Sequence, residues 1–269
     1  MSIDPLWLRN YHDTPSSAPV VVFFPHAGGS ASYFHPISAA LAPAVRSFTV
    51  QYPGRQDRMR EPLIDSIPEL ASRVVPAVAE VLALPDARSV TFFGHSLGAS
   101  VAYEVTRLLE AGGGPAPDHL IVSNRGTPDD PRNLGIHALA DADLVAEVDM
   151  LAGTARSVLA DPEILAMFLP AIRNDYRAAE TYVGPATPVR ARITSIVGAT
   201  DPRVKETDMA GWSRYTTSEF GHRRAAGGHF YLSEDPAAFA ELITDVVTSA
   251  DRDAVAASSR GSDGAARPQ

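Results

Sequence analysis

The sequence predicts an α/β fold organised around a mainly parallel sheet. Two observations carry the prediction. Strand-like apolar runs near 20–24, 47–51, 89–93, 119–123 and 192–197 alternate with segments of helical length. The first run, Val20-Val21-Val22-Phe23-Phe24, is apolar without interruption, as expected for a parallel strand covered by helices on both faces. No internal repeat is evident. A chain of 269 residues is one large domain or two small ones and can bury roughly three quarters of its unfolded surface. The reading places one domain over residues 1–247.

Taken in order, the first strand opens into Pro25-His26-Ala27-Gly28-Gly29-Ser30. Adjacent glycines let a backbone approach a ligand without side-chain obstruction. The loop lacks both G-x-G-x-x-G and a G-K-S/T ending, which discounts nucleotide binding. The second strand opens into Tyr52-Pro53-Gly54-Arg55; Arg55, Arg58 and Arg60 could steady that loop or face a ligand, but read as solvated loop residues outside the site. The third strand runs directly into Gly94-His95-Ser96-Leu97-Gly98. Leu97, Val101, Val105, Leu108 and Leu109 then recur at helical spacing until Gly112-Gly113-Gly114 stops the helix. Strand, sharp turn and helix around Gly-x-Ser-x-Gly is the nucleophile elbow of an α/β-hydrolase fold. Glycines at 94 and 98 remove side chains that would collide at so tight a turn. Ser96 then stands at a helix start, where free N–H groups can hold an oxyanion.

The interval Asn124–Ala191 is longer than a usual connection but carries helical signals. Asp141 can cap a segment through Met150, with Leu144, Val145 and Val148 on one face. Asp161-Pro162 is a good helix start leading through Ile164, Leu165 and Phe168, and Pro170 kinks or restarts a helix continuing to Tyr182. Residues 128–186 read as a helical lid inserted over the serine; the alternative is extra core helices with no gating role.

An elbow serine needs an acid and then a base, in that chain order. Asp201 falls in the loop after the strand Arg192–Gly198, at the carboxyl end where active-site groups of parallel sheets gather. Asp208 is the competitor and reads as part of a following helix, Val204–Trp212, on a solvated face. For the base, His229 lies in the glycine-flanked turn Ala226-Gly227-Gly228-His229-Phe230 before a final helix. His222 sits in a short exposed strand, and His119 reads as a surface residue. The predicted site is therefore Ser96, Asp201 and His229, with the N–H groups of Ala27 and Leu97 as oxyanion donors.

These segments together resemble the type II thioesterases, the stand-alone editing hydrolases of polyketide and nonribosomal peptide synthesis. The resemblance rests on Pro25-His26-Ala27-Gly28-Gly29, Tyr52-Pro53-Gly54-Arg55, Gly94-His95-Ser96-Leu97-Gly98-Ala99, Asp201-Pro202 and Gly227-Gly228-His229-Phe230, and spans roughly residues 18–245. It departs from the family at Ile37, near which a tryptophan is common, and at Ser123-Asn124-Arg125-Gly126-Thr127. Those departures bear on substrate preference, not on the reaction. The resemblance implies hydrolysis of acyl or aminoacyl thioesters from the phosphopantetheine arms of acyl or peptidyl carrier proteins, through an acyl-Ser96 intermediate. It implies no metal and no redox cofactor. An esterase or peptidase of the same fold, acting on small free substrates, is the alternative; a non-catalytic binding module is a second.

Composition agrees. The absence of cysteine removes disulfides, cysteine-ligated zinc and a cysteine nucleophile together. A net charge of −9 argues against nucleic acid as a partner. Met1–Asp13 has no apolar signal region, and no apolar run approaches a membrane span, so a cytoplasmic enzyme without membrane attachment is expected. From Thr248 to Gln269 the chain has almost no large apolar residues and is expected to be a disordered tail.

Overall fold

The computed structural model describes residues 3–87, 89–130, 133–152 and 162–248. The proposed helix start at Asp161 and nearly all of the predicted tail lie outside these residues. A seven-stranded sheet forms the centre, in the order β1-β3-β2-β4-β5-β6-β7. The strands are β1 (Leu8–Arg9), β2 (Val20–Phe24), β3 (Arg46–Val50), β4 (Val90–His95), β5 (His119–Ser123), β6 (Arg192–Gly198) and β7 (Phe220–Ala225). Only β1 is antiparallel to its neighbour. This two-residue strand, too short to leave a periodic signal, is the strand absent from the sequence reading.

The period-two pleat explains why β2 carries no polar alternation. Val20, Val22 and Phe24 face one layer with Phe92, Leu120 and Ile193, against α2 (Ile67–Leu82) and α3 (Leu97–Ala111). Val21 and Phe23 face the other layer with Phe93, Ile121 and Ile196, against α1 (His35–Leu41) and a helix over 236–248. Both faces are dry, so both residue sets are apolar.

Between β5 and β6 run α4 (Asp141–Ala152) and α5 (Pro162–Thr181), with Pro170 inside the second. The carboxyl half of α5 is part of the main core through Ala178 and Ala179, as is Tyr182 just beyond its end. The helix expected over Val204–Trp212 is shorter: α6 (Glu206–Ala210) gives way to a 3-10 turn over Gly211–Tyr215.

Two sequence readings are corrected. His119 is not a surface residue: it is 2% exposed and shares a 2.8 Å hydrogen bond with Thr194, because its position in β5 is sandwiched between β4 and β6. Burial beside Arg192 pushes its pKa down to about 3, so it is neutral. Arg55 and Arg58 are not solvated either, being 4% and 3% exposed. Arg58 lies over the Trp7 ring and donates to the Gln51 carbonyl at 2.7 Å, while Arg55 pairs with Asp175. Their partners come from distant segments and left no local mark.

Candidate active site

The loops following β2, β4, β5, β6 and β7 converge at one end of the sheet, the carboxyl end of its parallel strands. Ser96 occupies the turn between β4 and α3 with φ 54° and ψ −119°, a strained conformation for a side-chain-bearing residue. The flanking glycines are required by contact as well as by turn geometry. A Cβ on Gly98 would lie 2.0 Å from the Phe24 carbonyl oxygen, and one on Gly94 would lie 2.3 Å from that of Gly98. The turn is closed by Ser96 N–H donating to the Ser123 carbonyl at 2.8 Å.

His229 follows Gly227, whose φ of +105° suits glycine alone. Its Nδ1 is 2.7 Å from Asp201 Oδ2, and both side chains are almost wholly buried. The other oxygen of Asp201 accepts the N–H groups of Arg203 at 2.7 Å and Val204 at 3.0 Å. With Oδ1 held by two backbone donors, the carboxylate has a fixed aim. Its acceptor-only oxygen draws the proton to Nδ1 and leaves the Nε2 lone pair of His229 available. Asp208 stands apart: its carboxylate accepts the Lys205 N–H at 2.8 Å and serves the first turn of α6. Of the two candidate acids, the structure brings Asp201 to the histidine.

Ser96, Leu97, Ala27 and His229 all line one cavity of about 380 Å³. Leu97 is the first residue of α3, so its N–H is one of those a helix leaves without an internal acceptor. In the β2 loop, Gly28 N–H and Gly29 N–H are both engaged, whereas Ala27 N–H has no protein acceptor among the described residues. Two N–H donors beside a serine are what a tetrahedral oxyanion needs.

Several site residues escaped the sequence reading. His26 and His95 precede Ser96 in the chain, and the Ser–acid–His order of this fold admits only a later histidine as base. Yet the His95 ring lies 5.2 Å from that of His229, and Phe230 packs on both His26 and His95. Burial, with His229 nearby, pushes His26 down to about 3 and His95 well below the usual range. Neutral rings cannot repel an imidazolium forming on His229. His95 is fixed by a chain of hydrogen bonds through Ser123 to Tyr231, each 2.9 Å.

Asn124 has φ 46°, a region asparagine tolerates better than most residues. It donates to the His229 carbonyl at 2.7 Å and accepts the Gly198 N–H at 2.8 Å, tying the base loop to the acid loop. Asn124→Ala is expected to lower stability by about 1–3 kcal/mol, since buried backbone groups lose their partners. It should also reduce kcat. Denaturation and steady-state kinetics on one preparation check both, and unchanged kcat would remove the clamp from the site.

Fold and elbow together define an α/β-hydrolase. The family model of the thioesterase domain matches residues 19–247, and the chain belongs to the thioesterase family. Thioesterase PikA5 of Streptomyces venezuelae is 44% identical over 230 residues, covering 85% of this chain and 81% of that one. Among solved structures, the type II thioesterase BorB from the borrelidin biosynthetic cluster superposes with a TM-score of 0.81 at 42% identity, covering 89% of this chain and 97% of BorB. RedJ, a thioesterase of the prodiginine pathway in Streptomyces coelicolor, gives 0.78 at 32% identity, with 88% of each chain covered. The enzyme is a thioester hydrolase. Among the described residues, no helix is long and apolar enough to cross a membrane.

Proposed function

We propose that this thioesterase hydrolyses acyl or aminoacyl groups from the phosphopantetheine arms of carrier proteins through an acyl-Ser96 intermediate, with Asp201 and His229 completing the triad. The observation that carries the reading is the 2.7 Å Asp201–His229 bond in a cavity that Ser96 and both oxyanion donors also line. His229 Nε2 takes the Ser96 proton as Oγ attacks the thioester carbonyl, and the N–H groups of Ala27 and Leu97 hold the resulting oxyanion. Collapse breaks the carbon–sulfur bond, and the departing thiolate takes the proton from His229. Water, deprotonated by His229, then attacks the acyl carbonyl, and a second collapse releases the carboxylic acid and restores Ser96.

The shape of the cavity supports an acyl substrate. Its wall includes Leu134, Ile136, Leu151, Tyr176, Ala179 and Phe230, an apolar lining of the kind that receives a carbon chain. Its volume falls within the range of small-molecule sites. In this reading residues 128–186 act as the lid. Because α5 is anchored in the core through Ala178 and Ala179, movement would centre on α4. The ion pair between Glu147 on α4 and Arg203, two residues from Asp201, forms part of the cavity wall.

The carrier claim is tested by loading one acyl group onto a carrier protein, onto coenzyme A and onto a simple alcohol. A carrier preference of about tenfold in kcat/KM is expected, which needs only about 1.4 kcal/mol of added transition-state stabilisation. Equal values for carrier and coenzyme A would remove carrier recognition while leaving a thioesterase. A preference for the oxygen ester would favour a general esterase.

A further inference from the structure

The loop that carries Ala27 is gripped along its whole length by side chains outside it. Tyr52 hydroxyl donates to the Pro25 carbonyl at 3.3 Å, and Gln51 Oε1 accepts the Ala31 N–H at 2.7 Å. Between these ends, Asp175 Oδ2 accepts the Gly28 N–H at 2.8 Å, and Arg55 Nη1 donates to the Gly29 carbonyl at 3.1 Å. Arg55 and Asp175 are themselves joined by two hydrogen bonds, of 2.8 and 2.9 Å, with both side chains 3% exposed. Gly28 has φ +72°, and a Cβ there would lie 2.5 Å from Ile172 Cγ1. So α5, which helps to line the cavity through Tyr176 and Ala179, also presses on the peptide next to Ala27.

A buried ion pair is weak as a source of stability, because desolvation offsets most of the attraction. Its placement here is better explained by what it holds. Oxyanion donors act only when they are fixed before charge develops, since donors that must reorient lose the advantage over water. Gly28 and Gly29 are the residues least able to hold a loop by themselves. The carboxylate and guanidinium supply that rigidity from two separate segments, and the fork geometry of the guanidinium sets their mutual angle.

We propose that Asp175 and Arg55 are positioning residues for the oxyanion hole, fixing the Ala27 N–H through Gly28 and Gly29. The inference rests on the reading of Ala27 as an oxyanion donor. Neither side chain touches the reacting atoms; both act through the loop backbone.

The test uses the full chain with two variants. The double variant Arg55→Met/Asp175→Leu removes both charges together, so no buried charge is left unpaired, and Arg55→Lys keeps the charge but loses the fork. Kinetics are measured with an acyl-N-acetylcysteamine thioester. Affinity is measured for an alkyl boronic acid, which adds to the nucleophilic serine to give an anionic tetrahedral adduct, and thermal unfolding is followed in parallel. Loss of a single oxyanion donor costs about 10²–10³-fold in kcat, so misplacing one is expected to cost about 10–100-fold, with KM nearly unchanged. Boronate affinity should fall in step with kcat, and Arg55→Lys should lie between wild type and the double variant. A folded double variant with wild-type kcat and boronate affinity would overturn the proposal. If the double variant does not fold, Arg55→Lys decides: a fall in kcat and boronate affinity at constant KM supports the proposal, and no change in either overturns it. Failure of the parent serine mechanism, of which the Ala27 donor is a part, looks different, because wild-type enzyme would then bind no boronate at Ser96.

Discussion

Ser96→Ala is expected to abolish turnover, with a loss of about a millionfold in kcat, the scale seen when the serine of comparable triads is removed. The reason is chemical: the substitution deletes the attacking oxygen and leaves the donors, the base and the cavity in place. Little else should change. Ser96 is only partly buried, and its role in closing the elbow is made by its backbone N–H, which alanine keeps. The unfolding transition of the variant should therefore match that of the wild type, and it should still bind substrate. Kinetics alongside thermal unfolding check this; near-normal activity would remove Ser96 from the mechanism.

Asp201→Asn is expected to lower kcat by about 10⁴-fold, while Asp208→Asn is nearly silent. Two features of the site produce the difference. Asp201 Oδ2 faces His229 Nδ1 at 2.7 Å, and Oδ1 is fixed by the N–H groups of Arg203 and Val204. An amide held in that position turns its NH₂ toward Nδ1, which then accepts instead of donating. The proton moves to Nε2, and the nitrogen that should receive the Ser96 proton is already occupied. Asp208 has a different task, accepting the Lys205 N–H in the first turn of α6, and asparagine can accept the same bond. Side-by-side kinetics would reverse the assignment if the losses came out the other way round.

What was legible in the sequence follows from how local each signal is. The strand at 20–24 declares itself because both its faces are dry, and the elbow because Gly94 and Gly98 are demanded by contacts within a few residues or with the adjacent strand. Asp201 could be picked out because it follows a strand at the loop-bearing end of the sheet, and His229 because it lies in a glycine-flanked turn later in the chain. The supports of the site were not legible. Arg55 and Asp175 lie 120 residues apart, and nothing in the residues beside either one marks the other as its partner. His119 reads as a surface residue from its neighbours and is buried only because β4 and β6 flank it. Asn124 lies in a segment that departs from the family pattern, yet its side-chain bonds reach Gly198 and His229, over 70 residues away. Long-range pairing of polar groups leaves no periodicity for a sequence to show.

The central claim is that the acyl group passes through Ser96, and it is tested most directly by trapping that intermediate. Enzyme mixed with an excess of acyl thioester is quenched in acid within the first turnover, digested, and mapped by mass spectrometry. The acyl mass is expected on the peptide containing Ser96, with fragmentation placing it on the serine side chain. It should accumulate further in Asp201→Asn if deacylation is slowed more than acylation, and it should be absent from Ser96→Ala. Acyl mass on another residue, or turnover in Ser96→Ala at the wild-type rate, would contradict the account.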